Sequence, residues 1–292
     1  MNYFNLILIS THQDDKNIYN LLKNLDSENL NIKVFLLIVS QNCKINYIVS
    51  NVLNLTIQFI QTEKMGLSKA RNIGLNYLIN NNVKSEYIMF PDDDTSFDDN
   101  FIQNFKQILG SNKCYITPIY NEGTKNLYLG KFIKPDKLMN EKDHQYVGSP
   151  NQIILYSKFI NFIYFDENLG VGTINGSCED LDLYFRLNRT GAKFYSINKL
   201  YSYHPSKKSK NKTKTRQVFK RYKSYSLGYF FLMKKYNKTR FIFPFLIRPI
   251  FGSFYNLIFL NLKMINVYVS LFFFRLYLVL FKFKSKNNYN NK

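Results

Sequence analysis

Apolar residues change their period along the chain, and each change marks an element. Residues 3–10 are short and almost continuously apolar, as a strand buried on both faces would be. Residues 16–25 switch to helical spacing, with Ile18, Leu21, Leu22 and Leu25 on one face. Buried strands are predicted at 34–40 and 56–60. A helix is predicted over 67–79, where Leu67, Ala70, Ile73, Gly74 and Leu78 share a face. The next strand covers 86–90 and stops at Pro91. Strand–helix alternation of this kind predicts an α/β fold with a doubly wound, largely parallel sheet and helices on both faces. Ligands of such sheets bind beyond the carboxyl ends of the strands. Ser10-Thr11-His12, Ser40-Gln41-Asn42 and Asp92-Asp93-Asp94 lie at those ends and are expected to converge on one crevice.

The pattern loosens after residue 110. Strands are predicted at 114–118 and 152–156, and 193–197 reads as the last strand. Residues 121–144 are polar and irregular, and are expected to form a mobile loop over the site. A helix over 179–188 opens on Glu179, Asp180 and Asp182, which suit the positive end of a helix dipole. The first domain is expected to close near His204-Pro205, giving domains 1–205 and 206–292, with 206–215 as a solvated linker or an interfacial strip.

The charges are segregated. All 20 acidic residues lie at or before Asp182, beside 16 basic ones, so residues 1–182 sum to −4. Residues 183–292 hold 24 basic residues and no acid, or +24. A partner carrying negative charge is implied, either nucleic acid or an anionic membrane surface. The apolar content of 241–283 favours the membrane. Pro244 and Pro249 are expected to break that stretch, and Arg248, Lys263 and Arg275 interrupt it. Helices lying in the interface are therefore predicted, with a buried helical hairpin or one tilted span through 264–281 as alternatives. Cys43, Cys114 and Cys178 are widely spaced and read as reduced thiols. The chain opens directly on a strand-like segment, so no signal peptide is expected.

Asp92, Asp93 and Asp94 point several like charges at one spot. Such packing costs free energy unless a cation or hydrogen bonds neutralise it. Oxygen ligands at a strand end suit Mg²⁺ or Mn²⁺, which usually also binds substrate phosphates.

Four blocks then line up in order. They are the strand ending in Ser10-Thr11, the run Gly66-Leu67-Ser68-Lys69-Ala70-Arg71-Asn72, the run Phe90-Pro91-Asp92-Asp93-Asp94, and the run from Cys178-Glu179-Asp180-Leu181-Asp182 to Leu187. Over residues 3–205 this arrangement resembles the family 2 glycosyltransferases, inverting sugar transferases of GT-A fold. The resemblance implies a nucleotide-sugar donor whose leaving diphosphate is neutralised by Mg²⁺ or Mn²⁺. It places Asp92 toward the ribose and Asp94 on the metal, with Asp93 beside them. It sets Arg71 and Lys69 near the diphosphate or base, and Ser10 and Thr11 near the base or ribose. His204 is a candidate third metal ligand. Asp180 matches the family's catalytic base, and Glu179 and Asp182 are candidates for acceptor contact.

Departures narrow the reading. The family often carries Asp at the end of strand two, where Gln41 and Asn42 stand here as candidate base-edge contacts. A Gln-x-x-Arg-Trp motif of processive members is missing, and the chain has no Trp. The expectation is one sugar added per encounter, UDP-linked, to a lipid-linked or growing saccharide. The expected setting is cell-surface polysaccharide assembly at the cytoplasmic face of the plasma membrane, with no nucleic acid partner. A metal-dependent nucleotidyltransferase or phosphohydrolase would share the carboxylates, and a nucleic-acid-binding protein would share the basic charge.

Overall fold

Two central strands are sealed from water along nearly their whole length. Every residue of β2 (Val34–Gln41) is buried, and β1 (Tyr3–His12) is buried from Leu6 onward. The computed structural model describes residues 3–13, 30–42, 53–124, 126–129, 134–205 and 215–282, together with Ile18, Leu21, Leu22 and Leu25. Those four are helical and fully buried. β1 pairs in parallel with β2 and with β4 (Lys84–Met89), and β2 with β3 (Leu55–Thr62). The seven-stranded sheet runs β3-β2-β1-β4-β8-β6-β9, where β6 is Cys114–Ile116, β8 is Gln152–Leu155 and β9 is Phe194–Ser196. Only β8 runs against its neighbours, so the sheet is mostly parallel, as the alternation requires.

Helix α1 (Leu67–Asn80) lies close against β1. A Cβ on Gly74 would stand 2.9 Å from a methyl of Ile9, so the absent side chain permits that approach. Short helices α2 (Phe101–Phe105) and α3 (Tyr156–Phe159) and the longer α4 (Glu179–Arg189) complete this part.

The prediction named seven strands and ended them at 193–197, but three more form among the described residues. β10 (Ser202–His204) pairs antiparallel with β5 (Ser96–Phe97) and parallel with β7 (Ile119–Asn121), making a second, three-stranded sheet. Three-residue strands carry no detectable period, and their partners lie far away in sequence. The described part of 121–144 is tied down by hydrogen bonds at several points. The N–H of Met139 donates to Phe194 O at 2.8 Å, and Asn140 and Asp143 cap a 3₁₀ turn over Glu141–Tyr146. Most of the predicted linker, 206–214, lies outside the described residues.

The chain divides into two compact units. One is Met1–Glu167 with Glu179–Lys208, and the other is Asn168–Cys178 with Ser209–Lys292. The second is built on α5 (Thr215–Lys235), α6 (Ile242–Ile258) and α7 (Leu262–Tyr277). Pro244 and Pro249 were expected to break the apolar stretch, yet α6 contains both. Pro244 sits in the first turn, where its missing N–H is not needed. Pro249 deprives the carbonyl of Phe245, four residues back, of its helical donor. Arg275 of α7 supplies the replacement, with Nη1 donating to Phe245 O at 2.6 Å. Its Nε donates to Ser226 Oγ on α5 at 2.9 Å, and its guanidinium lies 4.3 Å from the Phe245 ring.

One guanidinium thus links all three helices. Arg275→Met is expected to cost about 2 kcal/mol, because it strips charge-assisted hydrogen bonds from buried acceptors. In a Pro249→Ala background the cost should shrink by about 1 kcal/mol, since Phe245 O regains a backbone donor. Thermal unfolding of the four proteins in detergent reads both numbers.

Candidate active site

β4 leads through buried Phe90 and Pro91 into a tight turn in which Thr95 N–H donates to Asp92 O at 3.1 Å. The turn gathers three carboxylates at the end of the strand. The Asp93 carboxyl is pushed up to about 7, by burial first and then by the charges of Asp94 and Asp92. Asp94 is also raised by burial, with His204 opposing the shift.

Arg71 binds this cluster from α1. Its side chain is only 1% exposed, so its charge requires buried anions. Nη2 lies 3.0 Å from Asp92 Oδ1, and Nη1 lies 3.6 Å from Glu179 Oε1. The guanidinium also sits 5.1 Å from the ring of Phe165. Asn72, the next residue, fixes that ring's backbone: its amide donates to Phe165 O at 2.9 Å, and its Oδ1 accepts Phe165 N–H at 2.8 Å. Burial raises the Glu179 carboxyl, against the pull of Arg71.

His204 reaches the carboxylates from β10. Its Nε2 lies 3.2 Å from Asp94 Oδ1 and 4.0 Å from Asp92 Oδ2. Its Nδ1 faces the carbonyl of Pro205 at 3.1 Å, which can only accept, so Nδ1 carries the proton. In the neutral ring Nε2 therefore presents a lone pair to two carboxylates. Three acceptors converging this way need a proton or a cation among them. One ligand atom from each of Asp92, Asp94 and His204 lies within 4.8 Å of the others, so the three could hold a metal ion. Tyr128 stacks on the imidazole at 4.3 Å between centroids and fixes its plane.

Asp180 stands on the first turn of α4. Its Oδ1 accepts Leu181 N–H at 2.8 Å, and its backbone carbonyl accepts from Gln152 Nε2 at 3.2 Å. A Cβ on Gly148 would come 3.8 Å from Oδ2, an ordinary contact distance. The carboxyl is packed deep among protein atoms, although the residue as a whole is only half-buried. Burial, followed by the charge of Glu179, pushes it up to about 7, while Leu181 N–H and Arg71 oppose the shift.

A folded-state value raised above the ordinary carboxylate range means that the folded chain holds this proton more tightly than the unfolded one. Stability from this group is therefore full below about pH 4 and is lost as pH rises through about 7. Asp180→Asn mimics the protonated form. It is expected to melt above wild type at pH 8 and level with it at pH 4. A constant difference across that range would overturn the assignment.

The other predicted residues sit as follows. Ser10 and Thr11 are buried at the end of β1. Gln41 is buried and accepts Met65 N–H at 2.8 Å, which ties the end of β2 to the turn before α1. Asn42 follows in the left-handed region, φ 57°. Lys69 is exposed on α1. Asp182 is fully buried and paired with Arg186 at 2.5 Å, one turn along α4. Arg71, Asp92, Glu179, Asp94 and His204 thus form one connected group, while Asp182 belongs to an ion pair of its own. Phe165 and Tyr128 had no signal in the sequence, since an aromatic in a turn region looks like any other.

No protein-family model and no curated protein matches this sequence. Solved structures do resemble it in fold. Residues 1–349 of S. aureus TarS, a glycosyltransferase, match with TM-score 0.54 and 18% identity over 76% of this chain and 64% of that one. The same TarS fragment in complex with UDP-GlcNAc matches at TM-score 0.54 and 15% identity, over 77% of this chain and 66% of that one. Its UDP complex matches at 0.55 and 16%, over 76% and 64%. The chain therefore spans about 64% of the TarS fragment it resembles. The shared architecture is a mixed α/β fold with a mostly parallel central sheet flanked by helices.

Proposed function

We propose that this chain is an inverting glycosyltransferase that moves one sugar from a UDP-linked donor to a lipid-linked or growing saccharide. The observation that carries the reading is the convergence of Asp92, Asp94 and His204 beside buried Arg71, at the strand end where this fold class binds ligands. Likeness to a fold solved with UDP-GlcNAc and with UDP supports it. Asp92, Asp94 and His204 would hold Mg²⁺ or Mn²⁺, which when bound neutralises charge on a leaving diphosphate. Arg71 holds Asp92 and Glu179 in place and adds positive charge at the phosphate end of the site. Ser10, Thr11, Gln41 and Asn42 line the strand ends where the nucleoside would lie.

Asp180 takes the proton from the acceptor hydroxyl as that oxygen attacks the anomeric carbon. The bond from this carbon to the phosphate oxygen breaks on the opposite face, so the configuration inverts. The nucleoside diphosphate carries away the electron pair. Full-length protein should release UDP from at least one UDP-sugar only when Mn²⁺ or Mg²⁺ is present. Release that chelator leaves untouched would reject the metal, and no release from any nucleotide-sugar would reject the reaction.

The acceptor's lipid carrier is inferred from the second unit. Thr239–Ile258 and Leu262–Phe281 are each 20 residues long and apolar enough to cross a membrane, yet only 11% and 17% of the 18-residue apolar window in each is buried. A core helix of a soluble unit would bury far more. Phe243, Phe251, Phe254, Ile258, Phe273 and Phe281 are all more than half exposed. With +24 of charge nearby in sequence, an anionic bilayer at the cytoplasmic face of the plasma membrane is the fitting surface. Salt screens the charge but not apolar insertion. Membrane-bound protein is expected to stay bound in 1 M salt (~3 Å Debye length) and to come off in detergent. Release by salt alone would leave the apolar hairpin without its proposed partner.

A further inference from the structure

The second sheet has a face that the candidate active site does not use. Successive strand residues point to opposite sides. On β10, Ser202 is fully buried, level with buried Phe97 on β5 and buried Ile119 on β7. His204 lies on that same side, where it meets Asp94. Tyr203 points the other way, level with Ser96 on β5 and Tyr120 on β7. Its ring packs with two others. Tyr201 meets Tyr203 edge-on at 5.8 Å between centroids, and Tyr120 meets Tyr201 edge-on at 5.4 Å. The Tyr201 hydroxyl is bonded to the Asp98 carboxylate. Tyr203 is thereby held in place, yet it stays only half-buried.

A cleft of about 550 Å³ opens beside Tyr203, within the range of roughly 300–1,000 Å³ that small-ligand sites occupy. Asp99 and Glu122, both exposed, line it together with Ser96. Among the described lining residues none is basic, although the chain as a whole carries +20. All of them belong to the sheet unit.

Each part narrows the ligand. Two carboxylates repel phosphate, which disfavours a nucleotide or an anionic polymer. They accept hydroxyl protons in charge-assisted hydrogen bonds, and the Ser96 hydroxyl can donate or accept. A tyrosine ring held in place offers a flat apolar surface at low entropic cost. A sugar ring has a C–H face and a rim of hydroxyls, and so matches both surfaces at once. We propose that this cleft binds a neutral saccharide, with one sugar ring lying on Tyr203 and its hydroxyls bonded to Asp99 and Glu122. The proposal goes beyond the transferase reading, because binding is measured without turnover. In a transferase the cleft would hold an acceptor chain by a sugar other than the one being extended.

The test titrates full-length protein, in a detergent without sugar head groups, with cellobiose, lactose and chitobiose. Saturation-transfer NMR gives the affinity. A tyrosine difference spectrum gives the contact, and no Trp obscures it. At least one disaccharide should bind saturably. Asp99→Asn and Glu122→Gln should each weaken it about tenfold, the size of one hydrogen bond to a charged group. Tyr203→Ala should weaken it at least about tenfold. Tyr203→Phe keeps the ring, so affinity should stay within about threefold while the difference spectrum shrinks. UDP affinity with Mn²⁺ should stay within about twofold in Asp99→Asn, and saturating UDP with Mn²⁺ should not displace the sugar.

No saturable binding of any of the three disaccharides overturns the proposal. Binding that all these variants leave unchanged overturns it too, since the sugar then sits elsewhere. Displacement by UDP with Mn²⁺ does the same, by placing the sugar in the candidate active site. If tetralysine binds the cleft and no sugar does, the ligand is a basic peptide and the saccharide reading fails. If Tyr203→Ala does not fold, the two carboxylate variants and Tyr203→Phe decide the matter. A chain that binds sugar here yet releases no UDP from any nucleotide-sugar keeps the cleft and loses the transferase reading.

Discussion

Asp180→Asn is expected to abolish turnover while leaving UDP and Mn²⁺ affinity near wild type. A base acts on the acceptor hydroxyl in the transition state, so its loss belongs in kcat, at about 10²–10⁴-fold. The donor-side group, Asp92, Asp94, His204 and Arg71, keeps all its partners in this variant. The carboxyl pushed up to about 7 adds a signature in wild type. The base form grows as pH rises, so kcat should climb through about pH 7 and level off above it. Calorimetric titration of UDP with Mn²⁺, set beside a pH–rate profile, checks both halves. A variant that loses UDP affinity in step with rate would make Asp180 a binding residue.

Asp94→Asn carries the second large effect. Two carboxylates and an imidazole lone pair converge at this point, and Asp94 is the carboxylate nearest His204, at 3.2 Å. An amide in its place offers only a weak neutral oxygen and removes the charge that makes the set attractive to a divalent ion. Outer-sphere partners of metal ligands are worth about 10–100-fold in metal affinity, so a ligand itself should cost at least about 100-fold. UDP should then bind Asp94→Asn equally weakly with and without Mn²⁺, and the melting shift given by Mn²⁺ plus UDP should vanish. Retention of wild-type Mn²⁺ dependence would move the metal away from this group. His204→Gln offers a graded control, because its oxygen can still ligate and should keep part of the affinity.

The sequence by itself determined the sheet and pointed to the carboxylates proposed for the site. β1, β2, β4 and α1 were legible because a strand buried on both faces must be almost wholly apolar, and a helix packed on it must repeat at 3.6. Asp92, Asp94, Arg71, Glu179 and Asp180 could be picked out because their spacing forms a recognisable order, and three adjacent carboxylates are chemically conspicuous. Tertiary structure alone decided how these groups pair. Arg71 meets Asp92 and Glu179, which lie far from it in sequence, because β4 ends where α1 and α4 begin. His204 became a neighbour of Asp94 only through β10, a strand too short to show a period, whose partners begin at Ser96 and Ile119.

The same limit explains the tail. Pro249 reads as a helix breaker from local rules, and the rule is sound for an isolated helix. It yields here because Arg275, on another helix, donates the hydrogen bond that proline cannot. Likewise nothing in the composition of residues 168–178 shows that they pack on α5. That assignment depends on Gly228 and Ser224 meeting Ser177 and Gly176. Local sequence fixes which face of an element is apolar and where charge accumulates. Which distant group completes a hydrogen bond or an ion pair is a property of the folded chain.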